Sequence, residues 1–328
     1  MTLPLSEFRI ERPQDLAAAV QLGARDGSQY LAGGTDLITN LRHGHGAPSL
    51  LVDLTGIAEL EGISCGADGA RIGANARLAS LCAADALLAR YAAIGAAAAG
   101  IAGPGHRNLA TLGGNLCLDT RCVYYNQSEW WRAANHYCLK LGGDTCHVAP
   151  QGKRCHAAFC SDLAPVLLAL HAEAELLSPG GARRTPLAAM YRDDGAAHLT
   201  LARDEILTAV HVPAPPAGLR LGFRKSRVRG AMDFPLASVA VALTLGPDAA
   251  APLASLAVGI SGTNSHPLHL QGTEALVGRP LDDAGLAALG KLVQKQVSPM
   301  RSTVTSSNHR RVVAAVLAQR LLRELAAA

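Results

Sequence analysis

Six of the eight cysteines in this chain of 328 residues fall within one short segment, residues 117–160. The same segment holds both tryptophans and three of the six tyrosines, whereas the surrounding sequence is mostly Ala, Leu, Gly and Val. The N-terminus lacks the basic and apolar regions of a secretory signal, which predicts a cytoplasmic chain. Structural disulfides are rare in that compartment, and clustered cysteines there more often bind metal. The cysteine segment therefore predicts a metal or redox centre.

Two glycine turns have the composition of an anion-binding loop. "YLAGGTDL" (30–37) places two glycines after a predicted strand, and "TLGGN" (111–115) has the same ingredients with an Asn added. Glycine allows positive φ and lets backbone N–H groups approach an anion closely, which suits a pyrophosphate. Neither turn matches the dinucleotide fingerprint G-x-G-x-x-G or the phosphate-binding loop G-x-x-x-x-G-K-[ST], so a Rossmann fold is disfavoured.

Helices and strands alternate around these turns in the first half of the chain. A helix over 13–26 precedes the short strand "QYLA" and the apolar run "LLVDL" (50–54), which predicts a small α/β unit. "ARIGANA" (70–76) is a further strand, and a long helical region follows over about 78–102. Residues 161–178 predict a short helix and then a strand.

The pattern in the second half of the chain predicts antiparallel strands followed by helices. The prolines that end "DEILTAVHVPAPP" (204–216) indicate a domain boundary. Beyond it, "LASVAVALTL" (236–245) and "SLAVGISGT" (255–263) alternate as half-buried strands would. Two helices follow near 282–297 and 308–327, and Asn308 is the expected N-cap of the last one.

Bulk composition argues against a membrane span and against nucleic-acid binding. About half of the residues are apolar and 17% are charged, which predicts a well-filled soluble core. No apolar run reaches the roughly 18 residues of a membrane span. The net charge of +4 is modest and its basic residues are scattered, without the aromatic and basic groove of a nucleic-acid-binding protein.

Taken together, five motifs resemble a known family. "AGGTDL", "RNLATLGGN", "SDLAPVLLAL", "EILTAVHVP" and "FRKSRVRGAMDFPLASVAV" occur in the order seen in the FAD-binding subunits of the molybdenum hydroxylases, such as carbon monoxide dehydrogenase and xanthine dehydrogenase. The resemblance covers nearly the whole chain apart from 118–158. It implies an α+β fold, with a two-part FAD-binding domain over 1–216 (1–55 and 56–216) and a C-terminal domain over 217–328 of three antiparallel strands and helices.

The resemblance also implies which residues hold FAD. The first turn would wrap the pyrophosphate through its backbone amides and the Thr35 hydroxyl, using Tyr30, Leu31, Ala32, Gly33, Gly34, Thr35, Asp36 and Leu37. The second turn would bind it through Thr111, Leu112, Gly113, Gly114 and Asn115. Asp162 matches a position that holds the adenosine part. Ile101 and Leu207 match apolar positions against the cofactor, and Lys225 matches a basic residue near the isoalloxazine.

Residues 118–158 then form an insertion beside a flavin-binding loop, because the family normally runs from "GGN" to "SDL" through a few small residues. Cys117 and Cys160 flank the insertion and belong to the parent scaffold. Cys65 and Cys82 lie elsewhere and are expected to be core or surface thiols. The remaining thiols form a ligand set for a [4Fe–4S] cluster or for a structural zinc, namely Cys122, Cys138, Cys146 and Cys155.

The spacing C-x15-C-x7-C-x8-C does not decide between these two metals, and disulfides stay a third possibility. A redox centre beside a flavin would extend an electron path, whereas a zinc would only brace the loop, and this favours the cluster. The aromatic residues are expected to shield it or to form a mini-core of the insertion, namely Trp130, Trp131, Tyr124 and Tyr137. Three histidines neighbour cysteines and are alternative ligands, namely His136, His147 and His156.

Within the family, a flavin subunit with a cysteine-rich insertion at this place resembles the β subunits of the 4-hydroxybenzoyl-CoA reductases. This branch removes a phenolic hydroxyl reductively, so electrons must flow inward. The resemblance implies a ferredoxin donor, transfer through [4Fe–4S] and FAD, and onward passage to a [2Fe–2S] small subunit and a molybdopterin-binding large subunit, in a dimer of heterotrimers. No acid, base or nucleophile set for substrate chemistry is visible in this chain.

Two rival functions stay open at this level. The first is the flavin subunit of an ordinary molybdenum hydroxylase that delivers electrons to NAD or a quinone, with a zinc-braced insertion. The second is an assembly or interaction protein that has kept the fold and lost the flavin, which the intact glycine turns argue against. Iron and sulfide content separates the first rival from the reductase, and flavin colour excludes the second.

Overall fold

The computed structural model describes residues 5–247 and 252–328. The first sheet lies within residues 1–55 and is parallel, with strand order β1-β3-β2. Its elements are β1 (Arg9–Glu11), α1 (Leu16–Gly23), β2 (Ser28–Leu31), α2 (Leu37–Arg42) and β3 (Leu50–Asp53). The predicted α/β unit is therefore confirmed, and α2 follows the first glycine turn directly.

The second sheet is antiparallel and has five strands in the order β4-β5-β8-β6-β7. The elements of this region are β4 (Ile63–Gly66), β5 (Gly69–Gly73), α3 (Leu78–Leu81), α4 (Asp85–Ala99), α5 (Pro104–Arg107), α6 (Leu112–Leu116), α7 (Glu129–Ala134), α8 (Leu163–Ala169), β6 (Glu173–Ser178), β7 (Gly181–Pro186) and β8 (Ile206–Pro213). The long helical region predicted over 78–102 is two helices, and α4 is kinked at Tyr91. The short helix and strand predicted over 161–178 are confirmed.

The third sheet lies beyond residue 217 and is antiparallel, with strand order β12-β11-β10-β9. The elements are β9 (Arg220–Ser226), β10 (Ala237–Leu245), β11 (Leu253–Ser261), β12 (Leu268–His269), α9 (Asp283–Gln296) and α10 (Ser307–Ala327). The implied three strands are present, with the two-residue β12 as a fourth. Asn308 is not the N-cap of α10, because the Ser306 hydroxyl accepts the capping hydrogen bond from the His309 amide at 3.1 Å.

Strands β10 and β11 are buried on both faces and not half-buried as their sequence alternation predicts. Alanines of β10, such as Ala240 and Ala242, belong to the core shared with α8, whereas Val239 and Val241 belong to the core under α10. A side chain at Gly259 of β11 would meet the Pro165 carbonyl at 2.0 Å, so α8 lies directly on the sheet. The small residues therefore join the C-terminal sheet to the FAD-binding region.

No helix in the described part of the chain is both long enough and apolar enough to cross a membrane.

Candidate functional site: a flavin cavity beside a thiol cluster

The first glycine turn presents a row of backbone donors that the protein itself does not use. The amides of residues 33–37 donate to no other group of the described residues. Gly34 has a φ of +70°, a conformation that glycine adopts without strain. Helix α2 fixes the turn from its other side, because the Ile38 amide donates to the Gly34 carbonyl at 3.1 Å. This arrangement is a nest of N–H groups suited to an anion.

The two glycine turns touch each other at Gly33. A Cβ built on this residue would lie 1.9 Å from the Leu109 carbonyl oxygen, in the stretch that leads into the second turn. Only glycine permits this approach of two backbones. The first and second turns, which are far apart in sequence, therefore form one wall.

The second turn offers side chains and few free amides. Thr111 is the N-cap of α6, and its hydroxyl accepts from the Gly114 amide at 3.1 Å. The Leu112 and Gly113 amides donate to carbonyls of residues 76 and 74. These backbone donors are therefore already used, so binding by residues 111–115, which stays a prediction, would rest on their side chains. The hydroxyl of Thr111 and the side-chain amide of Asn115 remain at the cavity.

Both turns open into one cavity with a volume of about 1060 Å³. The predicted cofactor residues that line it are Tyr30, Ala32, Gly33, Gly34, Thr35, Asp36, Leu37, Ile101, Thr111, Gly113, Gly114, Asn115, Asp162, Leu207 and Lys225. Leu31 and Leu112 do not line it, and Leu112 is fully buried in the core. The cavity thus gathers residues from all three sheets' regions, and it has the size and mixed lining of a cofactor site.

Lys225 and Asp162 form a buried ion pair in this cavity. Their side chains are 7% and 3% exposed, and Lys225 Nζ lies 2.5 Å from Asp162 Oδ2. Burial raises the pKa of Asp162 to about 6, even though Lys225 lowers it. The other oxygen, Oδ1, is buried and accepts no hydrogen bond from the described residues. A donor group of a bound cofactor would satisfy that oxygen.

The contact between the two residues bears on their expected roles. Sequence resemblance places Asp162 at the adenosine and Lys225 at the isoalloxazine. Their ion pair at 2.5 Å puts both side chains at the same part of the cavity. The two roles stay predictions.

The insertion is closed at its base and anchored along its length. Arg121 and Ala158 form a β-bridge in which each amide donates to the other's carbonyl at 2.7 Å. Arg132 of α7 is only 2% exposed, and its guanidinium donates to the His43 carbonyl at 2.9 Å and contacts His45 Nε2 at 2.9 Å. The insertion is thus packed onto the loop after α2.

The four predicted ligand thiols lie close enough to influence one another. Burial raises the pKa of the Cys122 and Cys155 thiols, and neighbouring thiols of the insertion add a smaller contribution in the same direction. The Ala157 amide donates to the Cys155 sulfur at 3.4 Å. Cys122 also lines the flavin cavity, whereas Cys138, Cys146 and Cys155 do not.

These thiols are not drawn together around one ion. Among the described residues, no three His, Cys, Asp or Glu side chains are gathered as ligands of a single metal ion. Cys117 and Cys160, predicted to belong to the scaffold, line the cavity, and Cys160 packs against Ala158 and Met300. Cys65 and Cys82 are partly buried against the main core.

Three of the four predicted aromatic residues lie beside one of the thiols. The Tyr124 ring has Trp131 and His147 as neighbours, with ring centroids 6.2 and 5.5 Å away, and these residues line one small cavity with Tyr137 and Cys138. Trp130 is 78% exposed and does not line this cavity.

Sequence reasoning missed a second wall of the cavity. The loop between β9 and β10 and the segment 300–304 both line it, as does Arg121 at the base of the insertion. The motif "FRKSRVRGAMDFPLASVAV" spans the first of these, but only Lys225 within it was assigned to the cofactor site. Segment 300–304 carries no motif.

The fold and this cavity define a class of protein, the FAD-binding chains of molybdenum-containing dehydrogenases. The family model for the FAD binding domain in molybdopterin dehydrogenase matches residues 6–215. The model for the CO dehydrogenase flavoprotein C-terminal domain matches residues 222–325. The chain belongs to this family, which confirms the predicted α+β fold and FAD as its cofactor.

Individual relatives agree with this assignment. The chain is 31% identical to the aldehyde oxidoreductase FAD-binding subunit PaoB of Escherichia coli over 276 residues, 81% of this chain and 84% of that protein. It is 28% identical to the carbon monoxide dehydrogenase medium chain of Afipia carboxidovorans over 316 residues, 95% of this chain and 94% of that one. The solved structure of reconstituted CO dehydrogenase from Oligotropha carboxidovorans superposes with a TM-score of 0.81 at 25% identity, covering 99% of both chains.

Proposed function

We propose that this chain is the FAD and iron–sulfur subunit of a molybdenum enzyme complex, with a [4Fe–4S] cluster held by Cys122, Cys138, Cys146 and Cys155. The observation that carries the proposal is the position of Cys122, which lines the flavin cavity and lies in the same insertion as Cys138, Cys146 and Cys155. When bound, FAD and the cluster would supply electron transfer, and substrate chemistry would belong to another subunit.

A cluster is preferred to a zinc ion because of its place beside the flavin. A tetrahedral zinc needs all four sulfurs at about 2.3 Å from one point. The described residues gather no three ligands for a single metal ion, so the geometry by itself argues for neither group. The position of Cys122 does, because a redox centre at the flavin cavity extends an electron path, whereas a zinc would only brace the insertion. The Ala157 amide, which donates to the Cys155 sulfur at 3.4 Å, is the kind of contact that tunes such clusters.

The chain's own residues position the flavin. The free amides of 33–37 would bind the pyrophosphate, and the Thr111 hydroxyl and Asn115 would face it from the second turn. Lys225 and Asp162 would hold one part of the cofactor with a charge and an unsatisfied acceptor. Ile101 and Leu207 supply apolar contact and exclude water.

For the complex, we propose reductive dehydroxylation of 4-hydroxybenzoyl-CoA to benzoyl-CoA. A ferredoxin would be the donor, and a molybdopterin-binding large subunit and a [2Fe–2S] small subunit would be the partners, in a dimer of heterotrimers. The support is the cysteine-rich insertion at this place in the chain. The cytoplasmic location stays a prediction.

A second candidate is favoured by the names of the relatives. Aldehyde oxidoreductase, xanthine dehydrogenase and carbon monoxide dehydrogenase are the proteins whose flavin subunits this chain resembles. A flavin subunit of this ordinary kind would pass electrons outward to NAD or a quinone. The insertion would then be structural.

The deciding measurement is iron, zinc and acid-labile sulfide per FAD on anaerobically purified protein, with visible spectra before and after dithionite. About four irons and four sulfides per FAD support the proposal. One zinc, or no metal, overturns the cluster and leaves the second candidate.

Single substitutions test the ligand set. Cys122→Ser and Cys138→Ser should lose iron while FAD is kept, because neither thiol holds the flavin. Cys82→Ser, a partly buried thiol outside the insertion, is the matched control and should keep both. Loss of iron in Cys117→Ser or Cys160→Ser, with iron kept in Cys122→Ser, would show that the ligand assignment is wrong.

A further inference from the structure

One short segment joins the flavin cavity to the insertion. It comprises residues 33–45, from the first glycine turn through α2 to His45, and is called the flavin segment below. Its first residues carry the free amides at the cavity, and its last residues accept the anchor from Arg132. The insertion therefore contacts the same segment that the cofactor does.

Asp36 stands at the N-cap of α2 but does not cap it. Its carboxylate accepts instead from the Asp119 amide at 2.9 Å, from the Asn40 side chain at 3.2 Å and from the Arg121 guanidinium. An aspartate at this position ordinarily accepts from amides of its own helix. Here its partners are Asp119 and Arg121 of the insertion and Asn40 of α2.

Arg121 is built to hold this carboxylate. Its backbone is fixed by the bridge to Ala158, and its guanidinium, 16% exposed, also donates to Asn40 Oδ1 at 2.8 Å. The centroid of the Phe234 ring lies 5.0 Å from the guanidinium carbon. Residues of the insertion, of α2 and of the C-terminal domain thus converge on one cation.

We propose that Arg121 is a positioning residue of the FAD site, which acts through Asp36 and makes tight flavin binding depend on the insertion. Arg121 neutralises a carboxylate that adjoins the row of free amides. Without Arg121, the charge of Asp36 is free to compete for those amides and to repel the two negative charges of a pyrophosphate. The inference concerns FAD alone and does not rest on the cluster.

The test is FAD release from the purified full chain, followed by the rise in free-flavin fluorescence, for wild type, Arg121→Gln, Asp36→Asn and the double variant. We expect the FAD dissociation constant to rise about tenfold in Arg121→Gln. The double variant should bind FAD more tightly than Arg121→Gln, because it removes the unpaired carboxylate. A purely structural role for Arg121 predicts that the double variant is no better, and this outcome overturns the proposal.

Arg154→Gln is the matched control. Arg154 also ties the insertion to the rest of the chain, through Asp193 at 2.7 Å, but away from the flavin segment. Arg154→Gln should keep wild-type FAD affinity. If its FAD affinity fell as much as that of Arg121→Gln, any loosening of the insertion would release the flavin. If Arg121→Gln does not fold, Arg121→Lys is measured in its place. Its FAD dissociation constant should rise by less than tenfold and should depend on the salt concentration. An FAD affinity equal to that of wild type contradicts the proposal. Iron is measured in every variant, so failure of the cluster assignment is seen separately.

Discussion

Gly33→Ala is the sharpest test of the flavin wall, because its consequence follows from one distance. The new Cβ would lie 1.9 Å from the Leu109 carbonyl oxygen and 2.6 Å from its carbon. These are backbone atoms, so no side-chain rotation relieves the clash. Ordinary contact needs about 3.5 Å, so the two turns must separate by about 1.6 Å (3.5 − 1.9).

This displacement should affect FAD more than folding. Overpacking of this kind costs about 1–3 kcal/mol of stability. The amides of residues 33–37 move with the turn, and a hydrogen bond to a charged group contributes about 1.5–3 kcal/mol. Loss of one or two such bonds lowers FAD affinity by about a hundredfold.

The assay is fluorescence titration of the apoprotein with FAD, with thermal unfolding of each apoprotein as the measure of stability. Gly66→Ala is the control, because a Cβ there meets nothing within 4 Å and Gly66 does not line the cavity. If Gly33→Ala binds FAD within about threefold of wild type, the contact between the two turns does not shape the cofactor site and the reasoning is wrong.

Two other changes give clear expectations. Gly114→Val should lose FAD, because Gly114 lines the cavity and a Cβ there meets only Thr111 Oγ1 within 4 Å, which leaves the added methyl groups in the cofactor's space; Gly66→Val should keep FAD, and equal flavin content in the two purified proteins would contradict this. Glu175 is the second case: burial raises its pKa, but His211, Thr208 and Arg71 bring it down from 4.5 to about 2. Because the folded pKa is depressed, its stabilisation is present above about pH 4.5 and is lost as pH falls toward 2. Thermal unfolding should therefore show Glu175→Gln less stable than wild type at pH 7, with the gap narrowing between pH 5 and pH 3, and a gap that stays constant would refute the assignment.

Local features were predictable where they depend on neighbours in sequence. The glycine turns, the strand before the first of them and the short helix followed by a strand at 161–178 lie as expected, because turn residues and apolar periodicity act over a few positions. The prediction of Asn308 as the N-cap was wrong because Ser306, two residues earlier, is an equally good N-cap. The boundary of a helix is decided by small differences of this kind.

Features that depend on what packs against them were not predictable. Alternation in β10 and β11 predicted one exposed face, but α8 covers it, and only small residues in the sheet allow that approach. Similarly, a row of glycines and polar residues at 111–115 does not show that its amides are already used by residues 74 and 76.

The sequence by itself determined that this chain carries two glycine turns, the ordered motifs of a flavin subunit and four thiols in one insertion. Tertiary structure alone decided that Asp162 and Lys225 pair with each other, that the turns meet at Gly33, and that the insertion reaches the flavin segment. Asp36 and Arg121 are 85 positions apart. Contacts across such separations depend on how whole elements pack, and side-chain type and spacing along the chain do not specify them.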